Sequence, residues 1–110
     1  MIIDRDGNIT IITQEKASVK TLVNNIEQAY DKYKNYHLIV NLSSIDKIKL
    51  EDIIEFLRLS NTHRSDKKSF VVVTENADLD QMPDEIVVVP SIQEAYDIIE
   101  MEDIERDLGF

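Results

Sequence analysis

Cysteine is absent from the 110-residue chain, which removes disulfides, thiolate nucleophiles and zinc–thiolate centres together. Nothing then requires an oxidising compartment, and a cytoplasmic location is the expectation. Glycine occurs only at Gly7 and Gly109. A phosphate-binding loop or a dinucleotide fingerprint needs glycines where backbone must approach phosphate, so neither can be written here. The two histidines, His37 and His63, lack the HxxxH or HxH spacing of a zinc site. No apolar run approaches the roughly 20 residues of a membrane span, and MIIDRDGNIT places Asp4, Arg5 and Asp6 where a signal peptide would be apolar. No metal, no cofactor and no membrane association are therefore expected.

Positive charge is scarce in the last third. Residues 1–74 carry eleven Lys or Arg against ten Asp or Glu, whereas residues 75–110 carry Arg106 alone against twelve acids, and the net charge is −10. Such a chain repels phosphate backbones and anionic lipid, so direct nucleic-acid binding is not expected. The acidic segment either solubilises the protein or steers a basic partner towards it. The chain has the usual length of one domain, and 43% hydrophobic residues suffice for one core.

Ile2–Ile3 and Ile9–Ile12 flank Asp6-Gly7-Asn8, a turn signal between β-branched runs that predicts a hairpin whose first strand is three or four residues long. Ser18 is an N-cap for a helix to about Lys34, with Val19, Leu22, Val23, Ile26, Tyr30 and Tyr33 on one stripe. The two tyrosines are expected to pack in the core with their hydroxyls reaching water. His37–Leu42, HLIVNL, reads as a central strand buried on both faces. After the loop Ser43–Lys49, a second amphipathic helix starts at Leu50 and ends between Asn61 and Ser65, with Ile53, Ile54 and Leu57 on its inner face. KKSFVVVT is another buried strand. A connecting loop with one irregular helical turn near Leu79 and Met82 follows, then a last strand at Ile86–Val89. Ser91-x-x-Glu94 has capping-box spacing and opens a final helix that ends by Gly109 at the latest. Strands alternating with helices in this way predict an α/β domain, 1–110, with a mixed, mostly parallel sheet of four to five strands and about three main helices.

No catalytic motif appears, and an enzyme is not expected. Glu51, Asp52 and Glu55 lie on the solvent side of a helix, whereas catalytic carboxylates need a concave, partly desolvated site. His63, near a helix C-terminus, suits an interaction with the helix dipole. The loop between the central strand and the second helix lies where small α/β domains usually meet their ligands and partners. Its polar residues Ser44, Asp46, Lys47 and Lys49, with Leu50 and Glu51 in the first helical turn, are the candidate partner-binding residues. Leu50 either anchors a partner or completes the core stripe.

With this element order, the segment HLIVNLSSIDKI followed by LEDIIEFL, the strand FVVVT and the ending IVVVPSIQEAYDII, with Ser91, Glu94 and Ala95 at the helix start, the chain resembles a STAS domain over nearly its whole length. STAS is the fold of anti-sigma factor antagonists and of the cytoplasmic domain of sulfate transporters. In the antagonists the strand ends in Asp-Leu and the loop in Asp-Ser, the serine being phosphorylated by a partner kinase. Here Asn41-Leu42 takes the first place and Lys49-Leu50 the second. The resemblance therefore implies a STAS-like module that binds a protein partner without that phosphoswitch, a homodimer being one form such an interaction could take.

NLSSIDKIKLEDIIEFLRLSNTHR and EMEDIERDLGF are also similar to a group of short bacterial proteins that carry the label ribonuclease Z. That nuclease has a metallo-β-lactamase fold and requires a His-x-His-x-Asp-His cluster, which two histidines cannot supply. This similarity implies an accessory or regulatory partner of a tRNA-processing nuclease rather than catalysis. Because some STAS domains bind nucleotides, small-ligand binding at the loop is a third expectation.

Overall fold

The computed structural model describes residues 1–16 and 18–109. Five strands form one sheet in the spatial order β1-β2-β3-β4-β5, identical to their order in the chain. β1 (Ile2–Asp6) and β2 (Ile9–Thr13) are antiparallel, and β2, β3 (His37–Asn41), β4 (Phe70–Val73) and β5 (Val87–Val89) are mutually parallel. The fold is thus α/β with a mixed, mostly parallel sheet. β1 has five residues rather than three or four. Gly7 takes φ +59 at the first position of a two-residue turn, as a type II′ hairpin requires, so pairing runs without loss up to Asp6 and Ile9.

Period-two alternation divides the buried strand residues between two layers. Ile12, Leu38, Val40, Phe70 and Val72 face one layer with α1 (Val19–Gln28), α2 (Leu50–Ile54) and α3 (Leu57–Ser65). Ile39, Val71 and Val73 face the other, where α4 (Ile92–Asp107) contributes Ala95 and Ile99. The crossovers β2–β3, β3–β4 and β4–β5 all cover the first layer. Successive crossovers of one hand in a sheet of sequential order must do so. β3 and β4 are consequently buried on both faces, which accounts for their unbroken apolar runs.

Ser18 Oγ accepts the Thr21 N–H at 3.2 Å and caps α1, and Ser91 Oγ accepts the Glu94 N–H at 3.2 Å and caps α4. α1 stops at Gln28, six residues before the expected end, and a 3-10 turn over Tyr30–Lys32 follows. That turn swings Tyr33 into the core and brings Tyr30 against α3.

The second expected helix is broken. Phe56 N–H bonds to Ile53 O at 3.0 Å, an i→i−3 bond that overwinds the chain between α2 and α3 and changes the helical phase. Phe56 is therefore fully buried while Ile54 is 46% exposed, so Ile54 does not share the inner face with Ile53 and Leu57 as its spacing predicts. α3 ends in a Schellman motif, with Lys67 N–H on Arg64 O at 2.9 Å and Lys68 N–H on His63 O at 3.2 Å. Lys67 occupies the left-handed position at φ 64, where glycine is usual.

Candidate functional site

The loop after β3 extends the sheet before leaving it. Leu42 N–H donates to Val73 O at 2.8 Å, and the Asn41 side-chain oxygen accepts the Ser43 N–H at 3.0 Å, closing a local turn at the strand end. Leu42, Ile45 and Ile48, each three residues apart, point inward. Leu42 and Ile48 are buried in the first core, and Ile45 packs against it.

From the next crossover, Asn76 pins this backbone. Its side-chain amide donates to Ile45 O at 2.8 Å, and its carbonyl accepts the Ile48 N–H at 3.4 Å. Asn76 is itself held by its N–H on Thr74 Oγ1 at 3.0 Å. The spacing of Leu42, Ile45 and Ile48 was visible in the sequence, but the Asn76 clamp was not, since it joins segments 31 residues apart.

With every third residue turned in, Ser44, Asp46, Lys47 and Lys49 are turned out and exposed, and Glu51 is exposed in the first turn of α2. Leu50 is half-buried and belongs to neither core cluster, so it does not complete the stripe of Ile53. Asp52 accepts the Lys49 N–H through its carboxylate at 3.0 Å, which occupies a free donor of α2 with the chain's own acid. The six candidate residues thus form one ledge of both charge signs along the loop and the first turn of α2. Grooves lie elsewhere: one of 440 Å³ between α1 and the α2–α3 segment, one of 320 Å³ beside Met1, Ile2 and Gln14, and one of 310 Å³ between the hairpin and α4.

No protein-family model matches the chain, and no curated protein matches it.

Both histidines are tied into the fold. His63 is fully buried, its Nε2 2.7 Å from Tyr36 O and its Nδ1 2.6 Å from the Tyr30 hydroxyl. A carbonyl can only accept, so Nε2 carries the proton and Nδ1 accepts from the tyrosine. Burial holds the pKa of His63 down at about 4, although the Tyr36 carbonyl favours the charged ring. A neutral ring makes no charge–dipole contact. The expected role of His63 at a helix C-terminus is replaced by a hydrogen-bonded bridge between α3 and the turn after α1, and Tyr30 spends its hydroxyl there rather than on water.

The second polar cluster lies under the distal half of α4. Past Ile99, the inward positions of that helix turn from apolar to Glu102, Asp103 and Arg106. Ser69 Oγ donates to Glu102 at 2.5 Å and accepts from Arg106 at 2.9 Å, and Arg64 reaches Glu102 at 3.0 Å and Phe70 O at 3.0 Å. His37 Nδ1 accepts the Ser69 N–H at 2.9 Å, which leaves Nε2 to donate to Asp103 at 3.0 Å. Burial lowers the His37 pKa, and Arg106 and Lys68 add to the effect against the opposing pull of Asp103.

His37 faces the Ser69 backbone rather than its hydroxyl, and Ser69 is wholly buried. The geometry is that of a clamp holding α4 to β3 and β4. The sequence carried the signal: Glu102 and Arg106 continue the spacing of Ala95 and Ile99. Among the described residues, no group of three or more His, Asp or Glu side chains is placed to hold a metal ion, and no helix is long and apolar enough to cross a membrane.

Proposed function

We propose that the protein is a non-enzymatic, cytoplasmic interaction module of the STAS type that docks a protein partner on the ledge formed by Ser44, Asp46, Lys47, Lys49, Leu50 and Glu51. The observation that carries this reading is the combination of exposed side chains with a pinned backbone: Leu42, Ile45 and Ile48 are anchored below, and Asn76 ties the loop from the side. Such a surface is preorganised and needs little ordering on association, which is how a modest patch gains affinity. The described grooves are lined by other residues, so the ledge suits the face of another protein rather than a small ligand, which needs a concavity. A hairpin followed by helices alternating with parallel strands, and closed by a capped helix, is also the order that the resemblance to STAS domains implies. With Lys49-Leu50 at the place of Asp-Ser, recognition at this ledge is constitutive rather than switched by a kinase.

The test is recovery of a stoichiometric partner from the native cell on the immobilised chain, followed by calorimetric titration of that partner. Lys47→Glu and Lys49→Glu reverse two exposed charges and should weaken binding on the order of tenfold each with an unchanged melting temperature. Leu50→Asp should abolish it. Full affinity in all three folded variants would place docking elsewhere and overturn the reading.

A further inference from the structure

α4 packs chiefly on β3, β4 and β5 and reaches the hairpin through Ile9 and Tyr96, so its side of β1 and β2 is only partly covered by the helix. The resulting groove of 310 Å³ has an apolar floor of Ile9, Ile99 and the Tyr96 ring, and Ile104 forms its outer lip. One end is closed by the Tyr96 hydroxyl, which donates to Asp6 at 3.0 Å. The rim is acidic: Glu100, Asp103 and Asp107 come from α4, and Asp6 from β1. Arg106, the basic residue of this region, is turned away beneath the helix to Ser69 and Asp103.

The apolar surface does not stop at the lip. Met101, Ile104 and Leu108 follow one another at spacings of three and four, which puts them on one side of α4. They are 50%, 53% and 66% exposed. α4 therefore carries two apolar faces, Ala95 and Ile99 against the sheet and these three towards solvent. A second face of that kind on a surface helix marks a contact site more often than a structural need.

We infer that this groove and the adjoining stripe of α4 form a second docking surface, independent of the β3–α2 ledge, whose occupant is a basic amphipathic peptide segment of a partner protein. Charge selects the occupant. Asp103 is paired with Arg106 and His37, but among the described residues no ion pair engages Glu100, Asp107 or Asp6, and residues 75–110 hold twelve acids to one base. A segment with Lys or Arg flanking aliphatic residues satisfies both, seating its apolar side chains on Ile9, Ile99 and Ile104 while its cations meet Glu100 and Asp107. A second copy of this chain would bring its own acidic α4 to the same place and repel it.

The probe is a synthetic helical peptide of Leu and Lys in amphipathic register, titrated calorimetrically into the full chain. Two comparison peptides replace either its Lys by Glu or its Leu by Ser. The inference expects saturable binding of the first alone, weakened on the order of tenfold by added salt, as rim charges are screened. Glu100→Lys and Ile104→Gln, both at exposed positions, should each weaken binding by a similar factor, whereas Glu85→Lys, an exposed acid that does not line the groove, should leave it unchanged. Equal loss in Glu85→Lys would mean diffuse attraction to an acidic protein and would overturn the inference, as would binding of the Ser-substituted peptide with the same affinity. Formation of a dimer through α4, seen by sedimentation and abolished by Ile104→Gln, would replace the peptide by a second copy and also refute it. The ledge variant Lys49→Glu serves as the cross-check: it should not affect this peptide, so failure here and failure of the ledge are separately read.

Discussion

Acid should destabilise this protein through His63, by an amount that the structure fixes. The ring is wholly buried between α3 and the turn after α1, its nitrogens hydrogen-bonded as the neutral tautomer allows, and burial outweighs the pull of the Tyr36 carbonyl towards the charged form. Its pKa is about 4 in the folded chain, against an ordinary value of 6.5. Above pH 6.5 neither the folded nor the unfolded chain protonates the ring, and the stabilisation is fully present. As pH falls from 6.5 towards 4, the unfolded chain binds a proton that the native state refuses, so stability drops by about 1.4 kcal/mol per pH unit and about 3 kcal/mol in all. Below the folded pKa both states carry the proton and the loss saturates.

For a domain whose total stability is on the order of 5–15 kcal/mol, this is a substantial fraction. The assay is urea denaturation followed by circular dichroism at a series of pH values between about 7.5 and 4.5, on the wild type and on His63→Gln. The variant loses some stability at every pH, but it cannot titrate at this position. The informative quantity is the difference between the two proteins. It should shrink by about 3 kcal/mol from neutral to acid pH, because the carboxylates and His37 are common to both. A difference that stays constant between pH 7 and 5 would mean that His63 titrates as it would in water, and the account of a neutral, doubly engaged ring would be wrong.

The overwound turn between α2 and α3 predicts opposite behaviour for two neighbours. Phe56→Ala should cost about 3–5 kcal/mol in urea denaturation, as truncation of a fully buried aromatic does, and Ile54→Ala should stay within about 0.5 kcal/mol of wild type. Lys67 sits in the left-handed region at the end of α3, so Lys67→Gly should raise stability by up to about 1 kcal/mol, read as a rise in the denaturation midpoint with an unchanged slope.

Where a feature rests on local pattern, the sequence displays it. Ser18 and Ser91 both cap helices at the predicted residues, Gly7 makes the hairpin, and HLIVN and FVVV become doubly covered strands because nothing polar interrupts them. What the pattern hides is decided at long range or by backbone strain. EDIIEFL contains neither glycine nor proline, so the change of phase that buries Phe56 and exposes Ile54 has no local marker. It is the core, offering room to Phe56, that settles it.

The end of α1 is similar. The stripe runs on through Tyr30 and Tyr33, but Tyr30 is claimed by His63, 33 residues away. Lys67 in a glycine position shows the same competition won by tertiary structure. Of the candidate site, the exposed residues could be found by removing the inward triplet Leu42, Ile45 and Ile48. The clamp from Asn76, which makes the loop a surface of fixed shape, depends on a contact that no local window contains.

The sequential order of the sheet has a consequence for how the chain is made. Each strand added to the growing sheet finds its neighbour already present, and the first layer is covered as the crossovers emerge. The second layer waits. Ile39, Val71 and Val73 remain open to water until α4, synthesised after all five strands, folds back across them. During that interval the nascent protein presents a flat apolar sheet face, the kind of surface that chaperones bind and that drives aggregation when they are lacking. Substitutions that loosen the Ser69–Glu102–Arg106 clamp would lengthen this exposure and reduce the soluble yield in the cell, beyond what their lower melting temperature alone accounts for.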